Sequence, residues 1–326
     1  MRTRDVIILA LVLAALVCLY LIVRQPLAPT GRGPGSDVRL LPRFDPEAVT
    51  SIVLDGGRVS VTLVRGEEGW TLAGGPRRFV EGPKVDHALG MLAKLTRERL
   101  VSIVPDKHAV FEVDRESGDL VALLAGADTL AAVLIGKSGP SGLDSYVRVA
   151  GETDVYLSGR GLAANVLRGA EHWRDRVILP FNPNDVTAIS IESGGPEIVL
   201  ERGDRGAWTA RRPEEFVADT NAGDRLLLTL VDLRAMDFAD DISPGEAGLD
   251  VEGAGGPAAT VEVRLVTGET RSLWIGARDD DAYYARRPDR ETIYLLSPRT
   301  VEFILSDPSA YRPADRSPGD PPPPTR

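Results

Sequence analysis

The feature that most constrains this chain is an internal repeat. The stretch YVRVAGETDVYLS, which begins at Tyr146, recurs from Tyr284 as YARRPDRETIYLLS, 138 residues later. A fixed period of this length indicates that one structural unit is used twice in tandem, and that each unit is complete within one period. The 326 residues of the chain are enough for two such units and a leading segment.

Other matching segments follow in the same order along both copies. FDPEAVTSIVLD, from Phe44, matches FNPNDVTAISIE, from Phe181, and the dipeptide WT at Trp70 matches WT at Trp208. A stripe of leucines with a spacing of three is also present twice, as Leu89, Leu92 and Leu95 and again as Leu227, Leu230 and Leu233. The similarity therefore extends over almost the whole of each copy.

Each copy predicts the same series of secondary structure elements. Three segments with alternating apolar and polar residues, separated by turns, predict an antiparallel β-meander. A covering helix is expected to follow, opening near Pro83 in the first copy and behind Asp219 in the second. Four more short segments predict a second meander, and Ser158 and Ser297 are candidate N-caps of a short closing helix. The predicted fold class is α+β, with two tandem repeats after a single N-terminal transmembrane helix.

The N-terminal segment predicts a membrane anchor. The residues from Val6 to Val23, VIILALVLAALVCLYLIV, are eighteen apolar or uncharged residues without Gly or Pro. As a helix they would be about 27 Å long, close to the thickness of the hydrocarbon core of a bilayer. A cleavable signal peptide is the alternative, but its apolar region would be shorter and would end in a small-x-small site. Arg2 and Arg4 favour a cytoplasmic N-terminus, which places the bulk of the chain in the periplasm or extracytoplasmic space.

These signals together predict the domain organisation of a single-pass protein of the cytoplasmic membrane. The only Cys, Cys18, lies inside the apolar run, which suits an exported remainder. The predicted parts are a short cytoplasmic N-terminus at residues 1–5, the transmembrane anchor at 6–23, a Pro/Gly linker at 24–43, α+β repeats at 44–180 and 181–314, and a disordered Pro-rich tail at 315–326.

The sequence contains no recognisable catalytic, cofactor-binding or metal-binding pattern. The formal net charge is −10, and no cluster of Lys and Arg is present, which argues against nucleic acid as a partner. The loop IGKSGPSGLDS resembles a phosphate loop but has Ala131 where a Gly is needed. The three His residues fall on different predicted elements. We therefore expect a protein that is not an enzyme and has no cofactor or metal.

Four residues in the repeated strands are candidates for a ligand or partner surface. They are Tyr146 and Arg148 in the first copy and Tyr284 and Arg286 in the second. An Arg flanked by Tyr on a strand can receive a carboxylate. The alternative is that these side chains belong to the scaffold, with the Arg stem packed against neighbours and its head in water. The Tyr residues fall in phase with the strand alternation, which favours the scaffold.

The order of these motifs resembles that of a known bacterial family. A V-T-x-I strand, a W-T-L strand, a Leu-striped helix, an IG strand, a Y-x-R strand and a V/I-Y-L strand are together similar to the family named domain of unknown function 4340. The chain departs from the family after the helix, where the family has a Tyr-Gly-Leu-Asp sequence. The second copy has AGLD at 247–250, and the first copy has AVFE at 109–112.

The resemblance implies a function but no reaction. Members of the family have no established activity and are often companions of ABC-type exporters, including those linked to gliding motility. The expectation is a non-enzymatic, membrane-anchored extracytoplasmic protein that acts as an accessory or assembly subunit of a membrane complex such as an ABC-type exporter. The alternative is an extracytoplasmic ligand-binding module for cell-wall glycan or peptide.

Overall fold

The computed structural model describes residues 38–203, 205–250 and 256–313. The chain forms two compact units, with the boundary between Asp175 and Arg176. The predicted anchor at 6–23 and the predicted tail at 315–326 lie outside the described residues, as does most of the predicted linker. Within the described ranges, no helix is long and apolar enough to cross a bilayer.

The described part of the first unit is built on one antiparallel sheet. Its strands are β1 (Ser51–Asp55), β2 (Ser60–Gly66), β3 (Gly69–Leu72), β4 (Arg78–Phe79), β5 (Arg99–Ser102), β6 (Asp119–Ala125), β7 (Asp128–Ser138), β8 (Ser145–Val149) and β9 (Val155–Ser158). All nine lie in one sheet, in the order β4-β3-β2-β1-β6-β7-β8-β9-β5. The centre of the sheet is therefore formed by β1 and β6, which are distant in sequence.

The second unit repeats this sheet strand for strand. Its strands are β10 (Val186–Glu192), β11 (Ile198–Arg202), β12 (Trp208–Arg212), β13 (Phe216–Val217), β14 (Asp237–Phe238), β15 (Ala259–Leu265), β16 (Thr270–Asp279), β17 (Ala282–Arg286) and β18 (Ile293–Leu296). Their order is β13-β12-β11-β10-β15-β16-β17-β18-β14, which is the order of the first sheet. The tandem repeat read from the sequence is thus a repeat of topology.

The predicted fold class, α+β with two separate meanders in each copy, is wrong. On its second side β1 pairs with β6, with Ile52 opposite Leu123 and Leu54 opposite Val121, and this pairing joins the two meanders into one sheet. The described residues are mostly antiparallel β-sheet with few helices. The error arose because the β1 and β6 pairing spans a helix and leaves no turn signal in the sequence.

The helices are short and cover one face of each sheet. They are α1 (Gly82–Ala93), α2 (Leu162–Val166), α3 (Ala170–Trp173), α4 (Thr220–Val231) and α5 (Pro298–Ile304). The Leu stripe has the predicted role, because Leu89 and Leu92 of α1 and Leu227 and Leu230 of α4 are buried in the cores under the helices.

Two of the three predicted side-chain caps are present. Asp219 accepts a hydrogen bond from the N–H of Ala222 at 2.8 Å, and Ser297 accepts one from the N–H of Thr300 at 3.1 Å. The predicted cap at Ser158 is wrong. Its hydroxyl donates to the carbonyl of Thr96 at 2.6 Å, since Ser158 is fully buried at the end of β9 and faces that neighbouring backbone.

An Arg packed over a Trp ring recurs in both units and belongs to the scaffold. Arg65 lies 4.9 Å from the ring centroid of Trp70, and Arg202 lies 5.7 Å from that of Trp208. Each guanidinium also donates to a backbone carbonyl of the short 3-10 turn that precedes the first strand of its sheet; Arg202 reaches Pro183 at 2.8 Å. The contacts fix the start of the sheet through a cation over an aromatic face and a charge-assisted hydrogen bond.

A loop that passes over a glycine of the sheet is present in both units, and we call it the crossing loop. Its position corrects the alignment of the two copies. A Cβ on Gly136 of β7 would overlap the carbonyl oxygen of Phe111, and a Cβ on Gly276 of β16 would overlap that of Ala247. Phe111 therefore corresponds to Ala247, and the segment that matches AGLD is FEVD at 111–114, not AVFE at 109–112.

The backbone of the crossing loop has the same conformation in both units. Glu112 has φ 56° and Gly248 has φ 65°, so both lie in the left-handed region. The following residues, Val113 and Leu249, are both fully buried. The first copy therefore retains the loop geometry with a Glu where Gly is favoured.

A buried carboxylate distinguishes the first sheet from the second. Asp119, at the start of β6, is 1% exposed and forms an ion pair with Arg58 of the turn between β1 and β2. The backbone N–H of Arg58 also donates to Asp119 at 3.0 Å, and its guanidinium donates to the carbonyls of Ile135 and Gly136 at 2.8 and 2.9 Å. The second sheet has Ala259 at the matching position, so this pair is specific to the first unit.

Tyr311 completes the core of the second unit, and its burial makes the stability of that unit fall at alkaline pH. The side chain is 3% exposed, and its hydroxyl has no hydrogen-bond partner in the described residues. Burial raises the pKa of Tyr311 to about 12. The folded state thus keeps the phenol protonated, and this contribution is complete below about pH 10 and is lost as the pH rises from there through about 12.

We expect Tyr311→Phe to remove most of that alkaline dependence. Its free energy of unfolding should equal that of the unsubstituted protein near neutral pH and should exceed it by up to about 2–3 kcal/mol near pH 12. Urea unfolding at a series of pH values between neutral and 12 measures the difference. Parallel pH profiles for the two proteins would contradict the assignment of the alkaline loss to Tyr311.

Candidate functional site

The four predicted surface residues lie on two strands in different units. Tyr146 and Arg148 are on β8, and Tyr284 and Arg286 are on β17. Side chains alternate along a strand, so each pair shares one face, and the residue between them belongs to a helix-covered core. We call the face opposite the helices the outer face of each sheet. All four residues are on outer faces.

In the first unit the two side chains hold the crossing loop. The Nε of Arg148 donates to the carbonyl of Val113 at 2.8 Å, and an Nη donates to the carbonyl of Glu152 at 2.8 Å. Burial lowers the pKa of Arg148, and the nearby carboxylate of Asp114 opposes this shift. The ring of Tyr146 packs on Phe111 with centroids 4.8 Å apart. Both side chains are therefore engaged in contacts within the scaffold.

In the second unit the corresponding side chains are also half-buried, and Tyr284 packs against the buried cluster that includes Leu249 of the crossing loop. The guanidinium of Arg286 lies 5.2 Å from the ring centroid of Trp274, its cross-strand neighbour on β16. The hydroxyl of Tyr284 donates to Asp279 at 3.0 Å, and this hydrogen bond raises the pKa of the phenol. The Nε of Arg286 has no hydrogen-bond partner within the described part of the chain. This group could receive an aromatic or anionic ligand group.

A larger polar feature lies on the same outer face. A groove of about 440 Å³ has Ala188 and Ser190 of the central strand β10 as its floor. On one side β15 places Arg264 next to Ala188 and Glu262 next to Ser190, and on the other side β11 places Glu201 next to Ala188. The lining residues are Ala188, Ser190, Glu197, Val199, Glu201, Arg211, Arg212, Glu262, Arg264 and Thr270. Small side chains on the central strand and long ones on its neighbours produce the groove.

Ion pairs order one wall of the groove. Arg211 donates to Glu201 at 2.7 Å and to Glu215 at 2.6 Å, and Arg212 pairs with Glu197. The hydrogen bond to Glu201 raises the pKa of Arg211 above its ordinary value. Arg211 lies at a register shift between β11 and β12, which lets it and Arg212 both reach acidic residues of this wall.

The opposite wall carries charges that the fold itself does not require. Glu262 and Arg264 of β15 are exposed. In the first sheet, whose topology is the same, the matching positions on β6 are Ala122 and Leu124, and both are fully buried. The same positions are therefore covered and apolar in the first sheet but exposed and charged in the second.

The groove brings charges of both signs together, an arrangement that suits binding. In the ranges that the structure describes, no group of three or more His, Cys, Asp and Glu side chains could hold a metal ion. The carboxylates of Glu197 and Glu201 face arginines across ion pairs. Mixed charges of this kind select a partner by complementary pairing.

Sequence reasoning missed the groove because each of its residues looks like an ordinary solvated position of an alternating strand. Glu262 and Arg264 are the clearest signal in retrospect. They alternate with buried residues on a strand that pairs on both sides, with β10 and with β16. Only the sheet order shows that β15 is central, so the charges could not be assigned to a groove from the sequence.

The described residues form two antiparallel sheets of the same topology, and the second sheet has a polar groove on its outer face. The chain belongs to the family described as Domain of unknown function (DUF4340), whose model matches residues 70–252, more than half of the chain. The match begins at Trp70 in β3 and continues beyond β14, so it includes parts of both units. No curated protein and no solved structure matches the chain.

Proposed function

We propose that this chain is a non-enzymatic, single-pass membrane protein that acts as an accessory or assembly subunit of a membrane complex such as an ABC-type exporter. The observation that carries the proposal is the charged groove of the second sheet, on a face that the first sheet forms from apolar residues. A duplicated scaffold in which one copy has acquired a polar, shaped face is suited to binding a partner.

The composition of the groove favours a polypeptide partner. Three acidic and three basic side chains line it, so a ligand with charges of a single sign would meet as much repulsion as attraction. A protein segment can offer both signs at spacings set by its own backbone. Ala188 and Ser190 leave room on the floor for side chains of that segment.

The apolar run from Val6 to Val23 supports the membrane location. It is long enough to span, and the Arg residues before it favour an N-terminus in the cytoplasm. Both sheets would then stand in the periplasm or extracytoplasmic space. The negative net charge of the chain favours a position away from an anionic lipid surface. In that position the two sheets could contact the segments that a membrane protein exposes outside the bilayer.

We expect a permease and its ATPase to be recovered with the intact chain when it is affinity-purified from mildly solubilised membranes. Arg264→Glu should lower that recovery roughly tenfold, because it places like charges next to Glu262 and against the acidic groups of the partner. Quantitative mass spectrometry of the recovered proteins measures the effect. A version without residues 1–23 tests whether the anchor is needed.

The matched control is Arg115→Glu. This residue is an exposed Arg of the first unit that pairs with Asp55 at 2.7 Å, so its reversal changes the net charge equally without touching the groove. Equal recovery from Arg264→Glu and the unsubstituted protein, or recovery of no membrane protein at all, would contradict the proposal.

A second candidate function is an extracytoplasmic binding module for cell-wall glycan or peptide. The group of Trp274, Tyr284 and Arg286 on the outer face favours it, since aromatic rings and a guanidinium are suited to sugar rings and carboxylates. If the intact chain retains a glycan or peptide that is lost in Arg286→Ala, and no membrane protein is recovered, this function replaces the first.

A further inference from the structure

The edge of the first sheet at β5 is apolar and exposed. Leu100 in β5, Ile103 and Val104 directly after it, and Val110 in the next turn are each between 43% and 57% exposed. β5 is the last strand in the order of the first sheet, so one side of its backbone has no neighbouring strand among those described. An apolar edge strand of this kind is a template for pairing with another chain.

The corresponding edge of the second sheet differs in strand length and in charge. Its last strand, β14, has two residues, Asp237–Phe238, whereas β5 has four. Acidic residues lie in and after β14, at Asp237, Asp240 and Asp241, and the exposed Met236 directly precedes the strand. Short, charged edges are the usual protection against pairing. The two copies therefore differ at this edge in length and charge, although β5 also contains a charged residue, Arg99, and a register shift between Leu100 and Ser102.

The described chain also begins beside this edge. Arg39 forms an antiparallel bridge with Thr96, and the N–H of Arg97 donates to the carbonyl of Val38 at 2.8 Å, two residues before β5 begins. Residues 24–37 separate the apolar run from Val38, and this length of chain can extend at most about 50 Å. If residues 6–23 are the anchor, the β5 edge lies within that distance of the bilayer.

We propose that the β5 edge, with Leu100, Ile103, Val104 and Val110, is the docking surface for an extended, aliphatic segment of a membrane-protein partner. The segment would add to the sheet as a further strand, with its backbone paired to β5 and its apolar side chains against those four residues. The proposal rests on the proposed function, because it takes the anchor and a membrane-protein partner from it.

Local charge and composition favour a polypeptide over lipid at this surface. Glu98, Arg99, Asp106 and Lys107 flank the apolar residues, and their formal charges cancel. The segment between them contains no Trp or Tyr, the residues that favour the lipid interface. A neutral aliphatic edge with free backbone groups matches a strand of similar composition.

Photo-crosslinking of the full chain in its native membranes tests this docking surface. A photoreactive amino acid at Leu100 should crosslink to an extracytoplasmic segment of the membrane protein that co-purifies with the chain. The same group at Val217, on the edge strand β13 of the second sheet, is the control and should not. A synthetic peptide of the mapped segment should bind the full chain at least tenfold more weakly after Leu100→Lys, and equally well after Val217→Lys.

Several outcomes would overturn the inference and leave the proposed function intact. One is a partner that co-purifies but crosslinks no better from position 100 than from position 217. Another is a crosslink between two copies of this chain, which would make the edge a self-association surface. A crosslink to lipid alone would make it a membrane-contact surface. Failure of the proposed function has a different signature, since no membrane protein would then be recovered at all.

Discussion

Arg58→Met is expected to destabilise the first unit by about 3 kcal/mol. The substitution keeps an unbranched apolar stem but leaves the carboxylate of Asp119, which is 1% exposed, without its ion-pair partner. Removing Arg58, the more exposed partner, costs this much because the carboxylate that remains is buried and cannot be solvated. Urea unfolding measures the loss, and native-state hydrogen exchange should locate it in β1 and β6.

The opposite substitution, Asp119→Ala, should cost less. The side chain of Arg58 is 43% exposed and can turn to solvent when its partner is removed. The double variant should consequently be more stable than Arg58→Met alone, since Ala259 of the second sheet shows that the architecture forms without this pair.

Asp55→Ala, which removes the half-exposed pair with Arg115, should cost less than about 1 kcal/mol. A cost of Arg58→Met no larger than this control would contradict the role of the buried carboxylate.

Gly136→Ala is the second substitution with a large expected effect, a destabilisation of about 3 kcal/mol. Its Cβ would overlap the carbonyl oxygen of Phe111 and would lie 2.8 Å from that of Glu112. Those atoms belong to the backbone of the crossing loop and cannot rotate away, so the loop or the strand must shift. Gly276→Ala should have the same effect in the second unit, where its Cβ would overlap the carbonyl oxygen of Ala247. Chemical denaturation of each single variant measures both effects.

Gly90→Ala is the matched control for both substitutions. Gly90 lies inside α1, and a Cβ there would meet nothing within 4 Å. Alanine is favoured over glycine in a helix interior, so this variant should be more stable by about 0.5–1 kcal/mol. Gly136→Ala and Gly90→Ala are therefore expected to change the stability in opposite directions. A stabilising or neutral Gly136→Ala would show that the loop does not lie close over the strand.

The sequence predicted the elements of each unit better than their assembly. The alternation in VTSIVLD and the Leu stripe with Leu89 and Leu92 depend on local periodicity, and both led to correctly typed elements. The pairing of β1 with β6 depends on contacts across about seventy residues of chain. The three consecutive apolar residues of β1, Ile52 to Leu54, were the available signal that this strand is central.

The candidate site was less accessible to sequence reasoning than the fold. Tyr284 and Arg286 were found because the repeat marked them, and they do lie on the outer face of the second sheet. The groove on the same face was missed because its charges come from several strands that only the sheet order brings together. The informative comparison was between the copies, Glu262 against Ala122, and it requires the register of both sheets.

The central pairing of β1 with β6 also sets the order in which each unit can be completed. While the chain is being made or exported, β1 to β4 can form a hairpin sheet early, but one side of β1 stays unpaired until β6 has followed. During that interval Ile52, Val53 and Leu54 present an apolar strand edge, and long-range pairing of this kind is slow. Emergence of residue 125 is thus the step at which the open side of β1 can be paired, before any of the second unit is available.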